Sequence, residues 1–62
     1  MWRLILKLLD LARNTFFTIV GDDSNTVLRF ERLDGSYSVC WNEYDKLVHI
    51  NAMAEVKEVR ND

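Results

Sequence analysis

Proline is absent from this 62-residue sequence, which also has only two glycines, one cysteine and one histidine. So little proline and glycine leaves no room for a flexible linker or a low-complexity segment, and we expect a single domain over residues 1–62. Cys40 alone cannot form an intramolecular disulfide, so packing must hold the fold together. A lone thiol suits a reducing compartment, which predicts a cytoplasmic protein.

An excess of positive charge is also missing. Eight Lys and Arg residues face ten Asp and Glu residues, which gives a formal net charge of −2. Non-specific affinity for nucleic acid comes from neutralising several phosphates at once, so this balance disfavours an extended phosphate-binding surface and allows only a local basic stripe. Hydrophobic residues make up 48% of the chain, as in folded globular domains.

The most apolar stretch opens the chain. On a helix of about 3.6 residues per turn, Arg3, Lys7, Asp10 and Asn14 fall on one narrow polar stripe, and the other side chains form an apolar arc of roughly 220°. A helix that packs on one sheet needs an arc of only about 100°. The pattern therefore predicts an amphipathic helix over residues 1–13 with surplus apolar surface.

Three destinations compete for that surplus surface. Burial against a second copy or another protein is favoured over a membrane surface and over a deep seat in a curved sheet. A transmembrane span needs about 20 apolar residues, and the charges of Arg3, Lys7 and Asp10 interrupt this stretch. No small-residue cleavage site follows it, so a signal peptide is not expected. The predicted interface residues are Trp2, Leu4, Ile5, Leu8, Leu9 and Leu11.

The strongest local signal is Asp34-Gly35 between two alternating segments, which predicts a β-hairpin over Thr26–Asn42 with a type I′ turn. Counting outward from the turn pairs Phe30 with Val39. Side chains alternate between the two faces of a strand, so every second residue shares a face. The predicted core face consists of Leu28, Phe30, Tyr37, Val39 and Trp41.

Three further strands are predicted, over Thr15–Val20, Lys46–Ile50 and Glu55–Val59, with a one-turn helix near residues 51–54. The expected fold class is α+β. An N-terminal helix packs on a strongly bent antiparallel sheet, or a partly open barrel, of about five short strands. This element order resembles that of small SH3-like and Sm-like barrels in topology, without a residue motif of either family, so it transfers no functional residue.

Few residues have the chemistry of a catalytic or metal site. Cys40 and His49 lie on consecutive predicted strands, and Glu43 or Asp45 could orient the imidazole, but a packed thiol beside a surface histidine is the favoured interpretation. The acidic turn at residues 22–25 lacks the glycine and the terminal glutamate of a calcium loop. We predict no catalytic residue, no metal and no cofactor, and a protein that is not an enzyme.

Two functions remain after these exclusions. The first is a small regulatory module that binds another protein and self-associates through its helix, as an accessory protein of a phage or mobile element would. The alternative is a nucleic-acid-binding barrel, in which basic residues follow the backbone and aromatic side chains stack on bases. The candidate contacts for nucleic acid are Arg29, Arg32, Tyr37 and Lys46. A membrane surface is a less favoured partner.

Overall fold

A computed structural model describes residues 5–59 as one antiparallel sheet of six strands with a single 3₁₀ turn and no α-helix. The strands are β1 (Ile5–Lys7), β2 (Phe16–Ile19), β3 (Leu28–Asp34), β4 (Tyr37–Trp41), β5 (Leu47–Asn51) and β6 (Glu55–Glu58). The 3₁₀ turn at Leu8–Asp10 follows β1 directly. Predictions for residues 1–4 and 60–62 lie outside the described residues.

The spatial order of the strands is β1-β6-β2-β3-β4-β5, and within residues 5–59 the two outer strands do not pair with each other. The sheet is therefore open, with edges at β1 and β5. Four strand spacings of about 4.8 Å would separate β5 from β6 in a flat sheet. The three residues between them cover at most about 14 Å, so the sheet must coil to bring these strands together.

The prediction of an N-terminal amphipathic helix is wrong over the described residues. Ile5, Leu6 and Lys7 pair with Lys57, Val56 and Glu55 of β6, which lies between β1 and β2. A helix bonds its own backbone groups and would have left this side of β6 unpaired, whereas strand β1 satisfies it.

The apolar side chains of residues 5–11 are buried and exposed in a different pattern from that of the predicted helix. The side chains of Leu8 and Leu11 are buried, while Ile5 is 50% and Leu9 is 40% exposed. The backbone N–H of Leu8 donates to the carbonyl of Ala54 at 2.9 Å, which holds the 3₁₀ turn against the β5–β6 connection. The broad apolar arc thus arises from a short strand followed by a bend into the core.

The hairpin is confirmed, but its register differs from the predicted one. Gly35 and Ser36 form the turn, and Asp34 pairs with Tyr37. Gly35 has a φ of 63°, and glycine first in a two-residue turn is typical of type II′. An extra residue, Glu31, forms a β-bulge, so that Phe30 pairs with Cys40 rather than with Val39.

The bulge exchanges the faces of β4, whereas the shifted turn moves the pairing by two residues and leaves the faces unchanged. Ser38 and Cys40 point into the core and are fully buried, whereas Tyr37 and Trp41 lie on the opposite face. The prediction that Tyr37 and Trp41 are on the core face is therefore wrong, whereas Val39, which lies on their face of β4, is buried as predicted, with 1% of its surface exposed. The two small side chains leave space for aromatic ones, and the Ser38 hydroxyl donates to the Ile50 carbonyl at 2.9 Å.

One hydrophobic cluster forms the core between the coiled ends of the sheet. It consists of Leu8, Leu11, Phe17, Leu28, Phe30, Cys40 and Val56. The predicted one-turn helix at residues 51–54 is also wrong, because this segment is a turn in which Asn51 Oδ1 accepts the N–H of Met53 at 2.8 Å.

Burial of the Cys40 thiol predicts slow chemical modification. Desolvation raises the pKa of this thiol, although hydrogen bonds from Ser38 and from the Glu31 backbone oppose the shift. Thiolate is the reactive form, so a raised pKa leaves less of it at pH 8. We expect a disulfide reagent to label the native protein at least about 100-fold more slowly than the urea-unfolded protein, which corresponds to an opening free energy near 2.8 kcal/mol.

A cysteine placed at the exposed turn provides the control for that experiment. The double variant Cys40→Ser, Ser36→Cys should react at nearly the same rate with and without urea. Equal rates for native and unfolded wild-type protein would contradict the burial of Cys40.

Candidate binding groove

The face of the sheet that points away from the core contains one continuous cross-strand row. Phe16 pairs with Arg29, Arg29 with Trp41, and Trp41 with Leu47, so the row crosses β2, β3, β4 and β5. Side chains in such a row point the same way and lie about 5 Å apart. We call this side of the sheet the outer face.

A groove of about 340 Å³ lies along this row. We call it the outer-face groove, and it is lined by Phe16, Val27, Arg29, Trp41, Asn42, Glu43 and Asp45. Phe16 is 50% and Val27 39% exposed, so an apolar surface is open to solvent here. Apolar patches on small proteins often mark binding sites.

Two polar side chains contact Trp41, and two more hold those side chains in place. Its indole Nε1 donates to Glu31 Oε1 at 3.3 Å, and the Arg29 guanidinium carbon lies 5.9 Å from the ring centroid, a cation–π distance. Arg29 Nη1 also donates to Asn14 Oδ1 at 2.9 Å. Arg13 Nη2 donates to Glu31 Oε2 at 2.7 Å. The aromatic wall of the groove is therefore ordered before any ligand arrives.

Two backbone irregularities, the β-bulge at Glu31 and the left-handed conformation of Asn14, position the side chains of this network. Glu31 is the bulged residue of β3, and bulges redirect side chains. This places its carboxylate between Trp41 and Arg13. Asn14 has a φ of 71°, which asparagine tolerates better than most residues, and its backbone N–H donates to the Phe30 carbonyl at 2.8 Å.

The acidic rim of the groove comes from the β4–β5 turn. Asn42 Oδ1 accepts the N–H groups of Tyr44 at 2.8 Å and Lys46 at 3.0 Å, which fixes the turn, and Asp45 has a φ of 60°. This geometry brings the exposed carboxylates of Glu43 and Asp45 to the groove. Neither has a hydrogen-bond or ion-pair partner among residues 5–59.

The charges of the groove favour a cationic rather than an anionic ligand. Arg29 is its one cation among the lining residues, and part of its hydrogen-bonding capacity is used on Asn14. Two carboxylates without partners face it across the apolar surface. A phosphate would be repelled by them, whereas an ammonium or guanidinium group would gain two acceptors.

Of the four residues predicted to contact nucleic acid, three lie on the outer side of the hairpin strands, and Lys46 lies outside the hairpin. Arg29 alone lines the groove. Arg32 pairs with Val39 one row further along, and Tyr37 is 52% exposed at the far end of β4. Lys46 lies exposed just before β5. They therefore form a dispersed set rather than a basic cluster.

The predicted interface residues are divided by the fold. Leu8 and Leu11 belong to the core, so only Ile5 and Leu9 of the described set remain accessible to a partner. Trp2 and Leu4 lie outside the described residues. The prediction missed Phe16, Val27, Glu43 and Asp45 as groove residues. Exposure of Phe16 beside buried Phe17 follows from strand alternation and was open to sequence reasoning.

The residues considered for chemistry do not converge. Cys40 points into the core, and His49, which pairs with Val39, points to the outer face, so they lie on opposite sides of the sheet. In the part of the chain that the structure describes, no three His, Cys, Asp or Glu side chains could hold a metal ion. No helix in the same part is long and apolar enough to cross a membrane.

No protein-family model matches the chain, and no curated protein or solved structure is significantly similar to it. Function must therefore be argued from the geometry of this sheet.

Proposed function

We propose that this chain is a non-enzymatic binding module that recognises an extended peptide segment of another protein in its outer-face groove. The observation that supports this most is the ordered Trp41 indole, held by Glu31 and Arg29 beside exposed Phe16 and Val27. Interface anchors are enriched in tryptophan, tyrosine and arginine at positions that lose water on binding. The lone buried thiol of Cys40 is consistent with a cytoplasmic site of action.

The groove suggests how such a peptide would bind. An apolar side chain would pack between Phe16 and Trp41, and a peptide carbonyl would accept a hydrogen bond from Arg29. A Lys or Arg side chain further along would reach Glu43 and Asp45. Extended peptides bind through this combination, in which hydrogen bonds to the peptide backbone give affinity and side-chain pockets give specificity.

Selection from a displayed library of random heptapeptides tests this proposal. We expect enriched peptides to combine an apolar residue with a basic one. Their affinity should then be measured by the fluorescence of Trp41 in a Trp2→Phe background, where it is the only tryptophan. The Trp41→Ala variant, assayed by anisotropy of a labelled peptide, should bind about 30-fold more weakly, as expected for loss of a 2 kcal/mol anchor.

Matched variants separate the acidic rim from the aromatic wall. Neutralising the rim with Glu43→Gln and Asp45→Asn should weaken binding of basic peptides and relax the selection for Lys or Arg. Glu55 lies on β6 outside the groove, so Glu55→Gln should change neither the binding of basic peptides nor the selection for Lys or Arg. Equal enrichment by wild type and Trp41→Ala would exclude the groove as the binding site.

The same assay addresses nucleic acid as the ligand. Labelled 20-mers of dT and rU at low salt should give flat titrations because of the acidic rim. Salt-sensitive binding that is lost in Arg29→Ala or Arg32→Ala would instead favour the nucleic-acid alternative.

A further inference from the structure

Strand β5 forms one edge of the sheet, and its backbone hydrogen bonds alternate in direction. The N–H of Asn42 donates to the carbonyl of Lys46, and the N–H of Ala52 donates to the carbonyl of Ser36. These two bonds fix which residue pairs of β4 and β5 are hydrogen-bonded. In an antiparallel pair only every second residue bonds the neighbouring strand. Val48 and Ile50 therefore bond β4, and the backbone groups of Leu47, His49 and Asn51 point away from the sheet.

These outward groups are unused among residues 5–59, apart from the Asn51 carbonyl, which accepts the N–H of Ala54 at 3.0 Å. The edge also lacks the features that normally prevent pairing with another strand. It contains no proline, lysine or glutamate, and its register with β4 is continuous over five residue pairs. An unprotected five-residue edge invites the addition of a strand.

The other edge of the sheet is less suited to pairing. Over the described residues β1 covers three positions, one of which is Lys7, and the 3₁₀ turn at Leu8–Asp10 ends it. A lysine on the strand is one of the devices by which proteins protect sheet edges. Of the two edges, β5 is therefore the better site for the addition of a strand.

We propose that β5 pairs antiparallel with β5 of a second copy, about a two-fold axis that passes next to His49. In this register His49 faces His49 of the second copy and both exchange N–H to carbonyl bonds, while Leu47 faces Asn51. The pairing is self-complementary, as a two-fold interface requires. It joins two six-stranded sheets into one.

Side chains on the core side of β5 support a second copy of this chain as the partner that pairs with the β5 edge. Val48 and Ile50 point to the core face, and Ile50 packs against the hydrophobic cluster, yet both are only half-buried because the sheet ends there. The proposed register places each Val48 directly opposite the Ile50 of the other copy. Non-hydrogen-bonded pairs bring side chains closest, so each copy covers the open end of the other's core.

The two-fold axis also makes the pairing sensitive to pH. Histidine gains its charge between about pH 8 and 5, and two imidazolium groups directly opposite each other repel. On the outer face the row of His49 continues with uncharged Val39 and then Arg32, which adds positive charge. The nearest carboxylates of β3 are Asp34, opposite Tyr37, and Glu31, already bound by Arg13.

Sedimentation equilibrium of the full chain at pH 7.5 and 5.0, over a hundredfold concentration range, tests the inference. At pH 7.5 we expect a reversible species of twice the 7.3 kDa chain mass. At pH 5.0 its dissociation constant should be at least about fivefold higher, the size expected for a directly opposed like-charge pair. A single-chain mass at every concentration at pH 7.5 would refute the pairing.

Three substitutions of His49 separate its roles. His49→Thr keeps the edge and should give a dimer whose dissociation constant is equal at both pH values. His49→Lys should weaken the dimer at least about fivefold at pH 7.5, while Leu33→Lys, on β3 and away from the edge, should not. His49→Pro removes only an outward N–H and should weaken the dimer about thirtyfold through the loss of two hydrogen bonds.

Circular dichroism of each variant reports whether the monomer still folds. If His49→Pro unfolds the chain, the Lys and Thr variants still decide the question. A dimer that persists unchanged in folded His49→Lys and His49→Pro proteins would place the interface elsewhere and overturn the inference.

Discussion

Replacing Phe17 by alanine should lower the free energy of unfolding by about 3–5 kcal/mol at 25 °C, more than any other alanine substitution on β2. Its side chain is fully buried in the hydrophobic cluster, on the strand that pairs with both β3 and β6. Deleting a buried phenylalanine ring costs about 3–5 kcal/mol, because the transfer free energy is lost and a cavity remains. A chain of this length has a free energy of unfolding of only about 3–9 kcal/mol, so the substitution removes between about a third and all of it.

The neighbouring residue provides a matched control for Phe17→Ala. Phe16 precedes it on the same strand and is 50% exposed on the outer face. Phe16→Ala should lower the free energy of unfolding by less than about 1 kcal/mol while weakening peptide binding in the groove. Urea unfolding followed by far-UV circular dichroism measures both variants. Equal destabilisation by the two substitutions would mean that the faces of β2 are assigned incorrectly.

Leu8→Glu should have the second-largest effect. The Leu8 side chain is fully buried, and its backbone N–H bonds the Ala54 carbonyl. A buried carboxylate without a partner must either lose its charge or stay unsolvated, and each option costs several kcal/mol. We expect the variant to be unfolded, or to show a urea midpoint near zero at pH 7.

Leu9→Glu distinguishes the observed turn from a helix over residues 1–13. Leu9 is 40% exposed in the 3₁₀ turn, so a glutamate there can remain solvated, and we expect a change below about 1 kcal/mol. In the helical alternative both leucines lie within the apolar arc, and the two substitutions would have similar consequences. Comparable loss of stability in Leu8→Glu and Leu9→Glu would therefore contradict the strand and turn.

The local sequence pattern could not exclude the predicted helix over residues 1–13. A three-residue strand followed by a 3₁₀ turn buries Leu8 and Leu11, and this spacing of three is also a helical one. What decided the structure was the need of β6 for a second partner strand. That need depends on Glu55–Glu58 lying between β1 and β2, some fifty residues away in sequence, and no local window contains it.

The hairpin register is a second feature that the local sequence pattern could not predict. Asp34-Gly35 indicated the position of the hairpin correctly, since glycine supplies the positive φ that the turn requires. Whether the turn begins at residue 34 or 35 changes the pairing, and the bulge at Glu31 changes it again. The shifted turn moves the pairing by two residues and keeps the faces, whereas the one-residue bulge moves the β4 side chains to the other face, which is why Trp41 lies in a groove and Cys40 in the core.

The candidate groove was accessible from the sequence only in part. Arg29 was identified because a basic residue on a strand is visible by type and position. Its neighbours Phe16 and Trp41 belong to other strands, and the row that joins them exists only through the observed registers. Glu43 and Asp45 were recognised as turn residues, but their approach to the aromatic wall depends on how the turn folds over β4.

The amino-acid sequence by itself determined that this chain forms a small sheet without disulfides, where most of its strands lie, and where the main hairpin reverses. These properties depend on alternation, turn residues and composition, which act over a few neighbouring positions. Only the tertiary structure decided that residues 5–7 form a strand, that β4 turns Cys40 inward, and that β5 remains an edge. Those outcomes follow from which strands pair and in which register, and a few neighbouring residues do not fix either.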